Sequence, residues 1–323
     1  MANRTLAQVL TLRPGPGGPV WVIEFMAMGS PCRLHLAGVA LPRAQALAEL
    51  ALAEVQRIEQ AWSRYLDDSV VSRINRAAGT GKVVAVDAET AHLLDFADQL
   101  WRASEGRFDI TSGVLRRAWN FRQASVPDAA RLAQVCGLIG WADVAWNGEF
   151  ISLPRTGMEI DFGGLGKEYA VDRVATLLIE AGQCSGVVNL GGDLRVLGPR
   201  PDGQAWQMAV AHPRQPGENL VSWPLLEGAL ATSGDYERCI DVAGRRYAHI
   251  LDPRTGWPVS DWQSISVHAP ACLAAGALCT VAMLSGPAAP DFLREQGVDF
   301  VACDAHGHLF TSEDTRCDLR AAC

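Results

Sequence analysis

Three glycines and a lysine placed directly before a helix-forming stretch are suited to binding phosphate. The segment IDFGGLGKEYAVD (160–172) puts Gly163, Gly164 and Gly166 before an amphipathic stretch, and Lys167 adds a positive charge. Backbone N–H groups at the start of a helix attract anions, and glycines allow close approach. The spacing matches neither GxxxxGK[ST] nor GxGxxG, the common nucleotide motifs. The residues alone leave two interpretations open, a phosphate cradle and a structural turn.

A second polar cluster lies in ATSGDYERCIDVAGRRYAHILDPRTG (231–256). Thr232 and Ser233 precede a glycine, and hydroxyls in such a setting can bind phosphate oxygens. His249 ends a strand-like run and is followed by Asp252, so it could act as an acid or base at a strand end. A lone histidine can equally be a structural residue, and both interpretations stay open at this point.

Two further short motifs combine polar and aromatic residues. GRFDITSGVLRRAWNF (106–121) places Phe108 and Asp109 after a predicted helix end, and a core position explains Phe108 more easily than Asp109. WSRYLDDSVVSRIN (62–75) puts Tyr65 beside a loop rich in Asp and Ser. A structural explanation of that loop is a helix with Asp68 or Ser69 as its N-cap.

Helices and strands must position these residues, and both are predicted along the chain. Apolar residues at helical spacing predict helices over 43–64, 88–104, 128–136, 271–286 and 290–296, besides the one that begins near 166. Strand-like runs cover 21–38 (two strands joined at Gly29), 142–153, 157–162, 186–198, 207–213, 229–240, 245–251, 263–269 and 298–304. Because these elements alternate without a βαβ rhythm, we predict one α+β domain with a mostly antiparallel sheet and packed helices.

Composition limits the classes of function. The chain has 323 residues, is 49% hydrophobic and carries a net charge of −8, which argues against a general nucleic-acid surface. No stretch approaches the roughly 20 apolar residues of a transmembrane helix. The nine cysteines form no CxxC pair, so reduced thiols in the core are expected rather than a zinc site or a disulfide framework.

The chain is expected to divide into three parts. Residues 1–20 are predicted to be a flexible, Pro/Gly-rich N-terminal segment, 21–315 the folded domain and 316–323 a C-terminal tail. The first residues lack the apolar region and small-residue cleavage site of a signal peptide, and no lipobox cysteine follows them. On that basis we expect a cytoplasmic location.

Taken in chain order, these motifs resemble the ApbE-type flavin transferases, also called FAD:protein FMN transferases. The eight motifs that carry the resemblance are MGS (28–30), SRYxxDSxxSRIN (63–75), GRFDITSGVL (106–115), IDFGGLGKEYAVD (160–172), VNLGGDLRVLG (188–198), ATSGDYER (231–238), YAHILDPRTGWPV (247–259) and AGALCTVAMLSG (275–286). Each motif is short, but eight in the right order are hard to obtain by chance.

The resemblance implies a specific reaction and a set of site residues. Such proteins bind FAD with Mg²⁺, transfer the FMN half to a Ser or Thr hydroxyl of a target protein and release AMP, while some relatives hydrolyse FAD to FMN and AMP. His249 would then orient or deprotonate the acceptor hydroxyl. By the same resemblance the FAD-binding residues would be Met28, Tyr65, Arg107, Phe108, Asp109, Asp161, Gly163, Lys167, Thr232, Ser233, His249 and Ile250, and the Mg²⁺ ligands would be the Gly166 carbonyl and Thr280.

The chain departs from the family pattern at two positions. The late helix of the family usually reads A-D-A-L-x-T, with the Asp and the Thr on one helix face and both coordinating Mg²⁺. Here Thr280 is present, but the Asp is replaced by Gly276. The second departure is Glu168, where the family often has Gly.

Three interpretations of the missing Asp are open. Mg²⁺ could bind through FAD phosphates, the Gly166 carbonyl, Thr280 and water. Another acid, Glu168 or Asp235, could replace the Asp. Alternatively, the chain could bind FAD without transferring FMN, which is the second hypothesis for its function, beside a third in which it hydrolyses the FAD pyrophosphate.

Overall fold

The computed structural model describes residues 8–15, 18–121, 123, 125–312 and 318–319, with side chains from residue 18 to residue 312 within these ranges. The helices are α1 (Leu41–Trp62), α2 (Val70–Ala77), α3 (Ala88–Ala103), α4 (Ala129–Cys136), α5 (Gly166–Glu180), α6 (Cys272–Leu284) and α7 (Ala289–Glu295), and 3-10 helices cover Ile110–Arg117, Trp141–Asp143 and Gly286–Ala288. The strands are β1 (Gln8–Gly15), β2 (Gly18–Ala27), β3 (Ser30–Ala37), β4 (Val84–Ala85), β5 (Ala145–Trp146), β6 (Phe150–Ser152), β7 (Gly186–Leu190), β8 (Asp193–Gly198), β9 (Trp206–Ala211), β10 (Asn219–Leu225), β11 (Ala229–Gly234), β12 (Cys239–Val242), β13 (Arg245–Ala248), β14 (Trp262–Ala269), β15 (Asp299–Asp304), β16 (Leu309–Thr311) and β17 (Asp318–Leu319).

A nine-stranded sheet organises the molecule. Its strand order is β1-β2-β3-β7-β8-β11-β14-β15-β16, and every strand pair in the described part of the chain is antiparallel. Neighbours along the chain pair as hairpins at β2-β3 and β7-β8, and α5 leads from the turn at 163–165 into β7. The predicted α+β class with a mostly antiparallel sheet is confirmed.

The two faces of this sheet bury different partners. Helices α1, α5 and α6 pack on one face, with α5 between the other two. The three-stranded sheet β17-β10-β9 covers part of the other face, where Trp206 and Trp223 pack with Leu194 and Val196 of β8. The buried residues of α1 explain its orientation because they recur at helical spacing: Ala44, Leu47, Ala48, Ala51, Val55, Ile58 and Trp62.

Most predicted elements are present, but four regions differ. The predicted strand runs 186–198 and 229–240 are each divided into two strands, β7 with β8 and β11 with β12. The run 157–162 is irregular, and 142–153 holds only the short strands β5 and β6. In the run 157–162, Met158, Ile160 and Phe162 are buried in the same core cluster as residues of α1 and α5, although the backbone there is irregular. Hydrophobic alternation reports burial, and a buried loop reproduces it.

The ends of the chain also differ from expectation where they are described. Residues 8–15, expected within a flexible segment, form β1 paired with β2, and 318–319 of the expected tail pair with β10. Residues 1–7, 16–17, 313–317 and 320–323 lie outside the described part of the chain. Within that part, no helix is long and apolar enough to cross a membrane.

Candidate active site

The turn at 163–165 leads into α5, whose N-terminus has no side-chain cap. The N–H groups of Leu165 and Gly166 donate to the Phe162 carbonyl at 2.9 and 2.7 Å, which folds the chain into the first turn. Leu165 occupies the N-cap position and has no side chain able to accept a hydrogen bond. No side chain therefore caps the positive end of α5, and an anion could take the place of a cap.

An arginine pairs with the acid that precedes this turn. Arg64 Nη1 lies 2.5 Å from Asp161 Oδ2, and the Gly163 N–H donates to Asp161 Oδ1 at 3.0 Å. Arg64 also donates to the Tyr65 hydroxyl at 3.1 Å. Gly113 permits the approach, since a Cβ there would lie 2.6 Å from Asp161 Cβ. Asp161 was expected to face phosphates, and here its charge is balanced by Arg64.

Lys167 belongs to a buried cluster with an excess of negative charge. Its ammonium group contacts the Asp193 carboxylate and lies 3.7 Å from Glu168 Oε1. Asp193 is 4% exposed and also accepts a hydrogen bond from the Thr232 N–H at 3.1 Å. One lysine between two carboxylates leaves one net negative charge, so a diphosphate would need a cation to bind at this place.

A glycine turn packs the motifs MGS (28–30) and VNLGGDLRVLG (188–198) against Lys167. Gly191, in the β7-β8 turn, has a φ of +62°, and a Cβ there would lie 2.8 Å from Ser30 Cβ and 3.4 Å from Lys167 Cδ. Its N–H donates to the Pro31 carbonyl at 2.9 Å. The close approach requires glycine, because both the backbone conformation and the space exclude a side chain.

Helix α6 is attached to α5 through Asp172. The Asp172 carboxylate accepts hydrogen bonds from the first two N–H groups of α6, both at 2.9 Å, and pairs with Arg195 at 2.9 Å. Gly276 is buried in α6, and Thr280, four residues later, is half-buried. These contacts hold α6 against α5, with Gly276 beside Glu168 in the first turn of α5.

His249 follows β13 and keeps an exposed surface, although neighbouring protein atoms displace much of the water around its ring. Its N–H donates to the Arg238 carbonyl at 3.0 Å. Loss of bulk water around the ring, followed by the charge of Arg238 and more weakly that of Lys167, lowers the pKa of His249 from 6.5 to about 4. The imidazole is therefore neutral at pH 7 and can accept a proton.

This pKa predicts a contribution to acid sensitivity. Between pH 6.5 and pH 4 the unfolded chain binds a proton at His249 that the folded chain does not, so stability falls as the pH is lowered through this window. We expect the free energy of unfolding of His249→Gln to decline less steeply than that of the wild type between these pH values. Urea unfolding at several pH values measures how the free energy of unfolding changes with pH in each protein. An equal change in the wild type and in His249→Gln would contradict the lowered pKa of His249.

A comparison with models of protein families shows the family of the chain. The model described as the ApbE family matches residues 28–302. The chain belongs to the ApbE family. A relative from Klebsiella pneumoniae (strain 342), named FAD:protein FMN transferase, is 27% identical over 299 residues, covering 89% of this chain and 85% of that protein. A relative of the same name from Treponema pallidum (strain Nichols) is 31% identical over 299 residues, covering 84% and 81%.

Solved ApbE structures share the fold. The crystal structure of an ApbE protein from Thermotoga maritima superimposes with a TM-score of 0.83 at 30% identity, covering 91% of this chain and 97% of that chain. A flavin transferase ApbE from Vibrio cholerae gives a TM-score of 0.78 at 24% identity, covering 96% and 99%, which supports the fold alone. The predicted family and fold class are confirmed.

The ApbE-family fold places the other expected FAD-binding residues in several settings. Phe108 is buried, and a Cβ at Gly164 would lie 3.6 Å from its ring. Met28 sits half-buried in the β2-β3 turn at a φ of +51°. Thr232 Oγ1 lies 2.8 Å from Ser266 Oγ. The remaining three differ in exposure: Tyr65 is 77% exposed, whereas Ser233 and Ile250 are half-buried.

The side chains of Asp109 and Arg107 form hydrogen bonds with neighbouring parts of the chain. Asp109 Oδ1 accepts from the Thr111 N–H at 2.7 Å and from the Thr111 hydroxyl at 2.6 Å, and its Oδ2 accepts from the Trp141 N–H at 3.0 Å. Burial raises the pKa of Asp109 above its usual value despite these donors. Arg107 donates to the Ser104 carbonyl at 3.1 Å. Both residues shape the loop beside the site, and their contact with flavin stays a prediction.

The sequence did not indicate which charged residues pair with Asp161 and Lys167. Arg64 and Asp193 lie inside recognised motifs, as SRY and GGD, but nothing in their spacing indicates that they pair with Asp161 and Lys167. The same holds for Asp235, whose two carboxylate oxygens accept from Arg214 at 2.7 and 2.6 Å. Bidentate pairing occupies Asp235 and makes it a poor candidate for a metal ligand.

Several oxygens of the site are suited to Mg²⁺. The described residues contain no cluster of three His, Cys, Asp or Glu side chains that could hold a metal. Glu168 Oε2, however, is buried without a hydrogen-bond partner in the described structure. Gly166 of α5 adds a backbone carbonyl and Thr280 of α6 a hydroxyl to the oxygens of these two packed helices. Oxygen donors next to an expected diphosphate fit Mg²⁺, which is bound through few protein ligands at such sites.

Proposed function

We propose that this ApbE-family protein transfers the FMN half of FAD to a Ser or Thr hydroxyl of a target protein, with Mg²⁺ and release of AMP. The observation that carries the proposal is the uncapped N-terminus of α5 beside Lys167, together with a buried carboxylate oxygen without a partner in the described structure. This arrangement accommodates a diphosphate together with a divalent cation. The names of the Klebsiella and Treponema relatives support the same activity.

The transfer is a substitution at phosphorus. The acceptor oxygen forms a bond to the phosphorus of the FMN half, the bond from that phosphorus to the bridging oxygen breaks, and AMP leaves with the bridging oxygen. The hydroxyl proton passes to a base, for which the neutral imidazole of His249 is suited. FAD phosphates nearby would raise the pKa of His249 from its low value, which makes the imidazole a stronger base when substrate is bound.

The chain's own groups orient the diphosphate and the flavin. The α5 N-terminus and Lys167 attract the phosphate oxygens, while Asp193 holds the lysine in place. The Gly166 carbonyl and the Thr280 hydroxyl would hold Mg²⁺. Mg²⁺ bound there supplies positive charge to the phosphate oxygens. Phe108 and Met28 offer apolar contact to the flavin ring.

AMP release tests the proposal directly. Purified protein is incubated with FAD and either Mg²⁺ or EDTA, with an acceptor domain whose target hydroxyl is intact or has been removed by substitution with Ala. We expect AMP and in-gel flavin fluorescence on the acceptor only with Mg²⁺ and the intact hydroxyl. AMP with free FMN but no labelled acceptor would indicate hydrolysis, and FAD binding without AMP would indicate a binding protein.

A further inference from the structure

Helices α5 and α6 meet along one face in a regular register. Asp172 of α5 binds the first two N–H groups of α6. One turn earlier on α5, Glu168 lies against Gly276, which is one turn later on α6. The helices therefore run antiparallel along this contact, and one further turn directs Thr280 towards the start of α5.

Gly276 leaves space that Glu168 fills. A Cβ at position 276 would lie 2.5 Å from Glu168 Cγ, 3.3 Å from its Cδ and 3.4 Å from its Oε1. Carbon atoms in van der Waals contact stay about 3.5–4.0 Å apart, so a side chain at 276 and the present Glu168 side chain exclude each other. The glycine inside α6 is thus explained by its neighbour, although glycine weakens a helix.

The Glu168 carboxylate is buried and only partly satisfied. The residue is 7% exposed, and Oε1 lies 3.7 Å from Lys167 Nζ, beyond hydrogen-bond distance. Oε2 has no hydrogen-bond partner among the described residues. Lys167 instead contacts Asp193. A buried charged oxygen without a partner is costly, and a cation that binds it removes that cost.

We infer that Glu168 is the anionic ligand of the divalent cation, supplying from α5 the carboxylate that the chain lacks at position 276 of α6. Three observations support this: the side chain occupies the space over Gly276, one of its oxygens is unpaired among the described residues, and Thr280 lies one turn along the same α6 face. Asp235, the other acid considered as a replacement for the missing Asp, is paired with Arg214. The inference rests on the proposed Mg²⁺-dependent reaction.

Mn²⁺ binding to the FAD complex tests the inference without relying on activity. Mn²⁺ is titrated into the protein saturated with FAD, and free Mn²⁺ is followed by electron paramagnetic resonance. We expect Glu168→Gln, which keeps the shape of the side chain, to weaken Mn²⁺ binding by about 10-fold or more, because it removes an anionic ligand. FAD affinity measured in EDTA should stay within about threefold of wild type. The exposed Glu180→Gln changes the net charge equally and should leave Mn²⁺ affinity unchanged.

A pair of compensating substitutions adds a second readout. Gly276→Asp alone should lower Tm by roughly 3–10 °C, because its Cβ meets Glu168 Cγ. The double variant Glu168→Gly with Gly276→Asp removes the clash and moves the carboxylate to α6, so it should regain both Tm and Mn²⁺ affinity. A double variant no more stable than Gly276→Asp and no better at binding Mn²⁺ than Glu168→Gln would overturn the inference.

The outcomes separate this inference from the proposed function. If wild type releases AMP with an acceptor and Glu168→Gln binds Mn²⁺ within twofold of wild type, the inference fails and the function stands. If wild type binds Mn²⁺ through Glu168 but releases no AMP, the metal site stands and the transferase proposal fails. If wild-type protein with FAD binds no Mn²⁺, the inference is rejected whatever the activity.

Discussion

Replacing His249 by alanine should lower the rate of FMN transfer by about 10²- to 10⁴-fold, the usual contribution of a positioned acid or base. The imidazole is neutral at physiological pH because crowding by the protein lowers its pKa to about 4. It can therefore take the acceptor proton without first losing one of its own. Loss of the ring removes this step, whereas the phosphate contacts of α5 and Lys167 remain.

The measurement is AMP release under single-turnover conditions, with FAD affinity determined separately by fluorescence. His249→Ala should bind FAD within about threefold of wild type, since proton transfer to a general base contributes to the rate and not to ground-state binding. The exposed His92→Ala, on α3, serves as the matched control and should behave as wild type. An equal loss of affinity and rate in His249→Ala would make His249 a binding residue only.

The pH dependence of the reaction gives an independent check on the same residue. In the free enzyme a base of pKa about 4 stays deprotonated well below pH 6.5, so kcat/KM should not fall on the acidic side until the pH approaches that value. The profile of kcat should fall at a higher pH, because bound FAD phosphates favour the protonated ring. A kcat/KM profile that already falls near pH 6.5 would contradict the lowered pKa.

Replacing Asp193 by alanine should lower the free energy of unfolding by about 3 kcal/mol, the loss typical when one partner of a buried ion pair is removed. Asp193 is 4% exposed and bonds both Lys167 and the Thr232 N–H. Its removal leaves the ammonium group without its closest counter-charge and a strand N–H without its acceptor. The partial exposure of Lys167, 23% of its side chain, keeps the expected loss at the lower end of the usual range.

Urea unfolding monitored by circular dichroism measures this loss. The two proteins can be compared if their free energies of unfolding depend equally on urea concentration, that is, if their m values are equal. Asp291→Ala is the matched control, since Asp291 pairs with Arg294 at 2.8 Å but its side chain is 82% exposed. Exposed pairs contribute little, so that variant should lie within about 0.5 kcal/mol of wild type. A loss below about 1 kcal/mol for Asp193→Ala would show that water already solvates the Lys167 pair.

Local patterns in the sequence were sufficient for most of the fold. The apolar spacing of α1 and the glycine at 29 act over a few residues, and the helix and the β2-β3 hairpin appear where they predict them. The order of eight short motifs was sufficient for the family, which the match over 28–302 confirms. Ser69, one of two proposed caps, accepts the Ser72 N–H at 3.0 Å and caps α2.

Only the tertiary structure decided how the charged residues are paired and which side chain occupies the space beside Gly276. Lys167 and Asp193 are 26 positions apart, and the spacing of neither predicts the other because their contact depends on packing α5 against β8. The run 157–162 shows the same limit, since burial made an irregular connection resemble a strand. The sequence alone indicated that Gly276 replaces the Asp that the family pattern has as a Mg²⁺ ligand. That its space is filled by Glu168 follows from the antiparallel contact of two helices whose residues lie about a hundred positions apart, which no local pattern encodes.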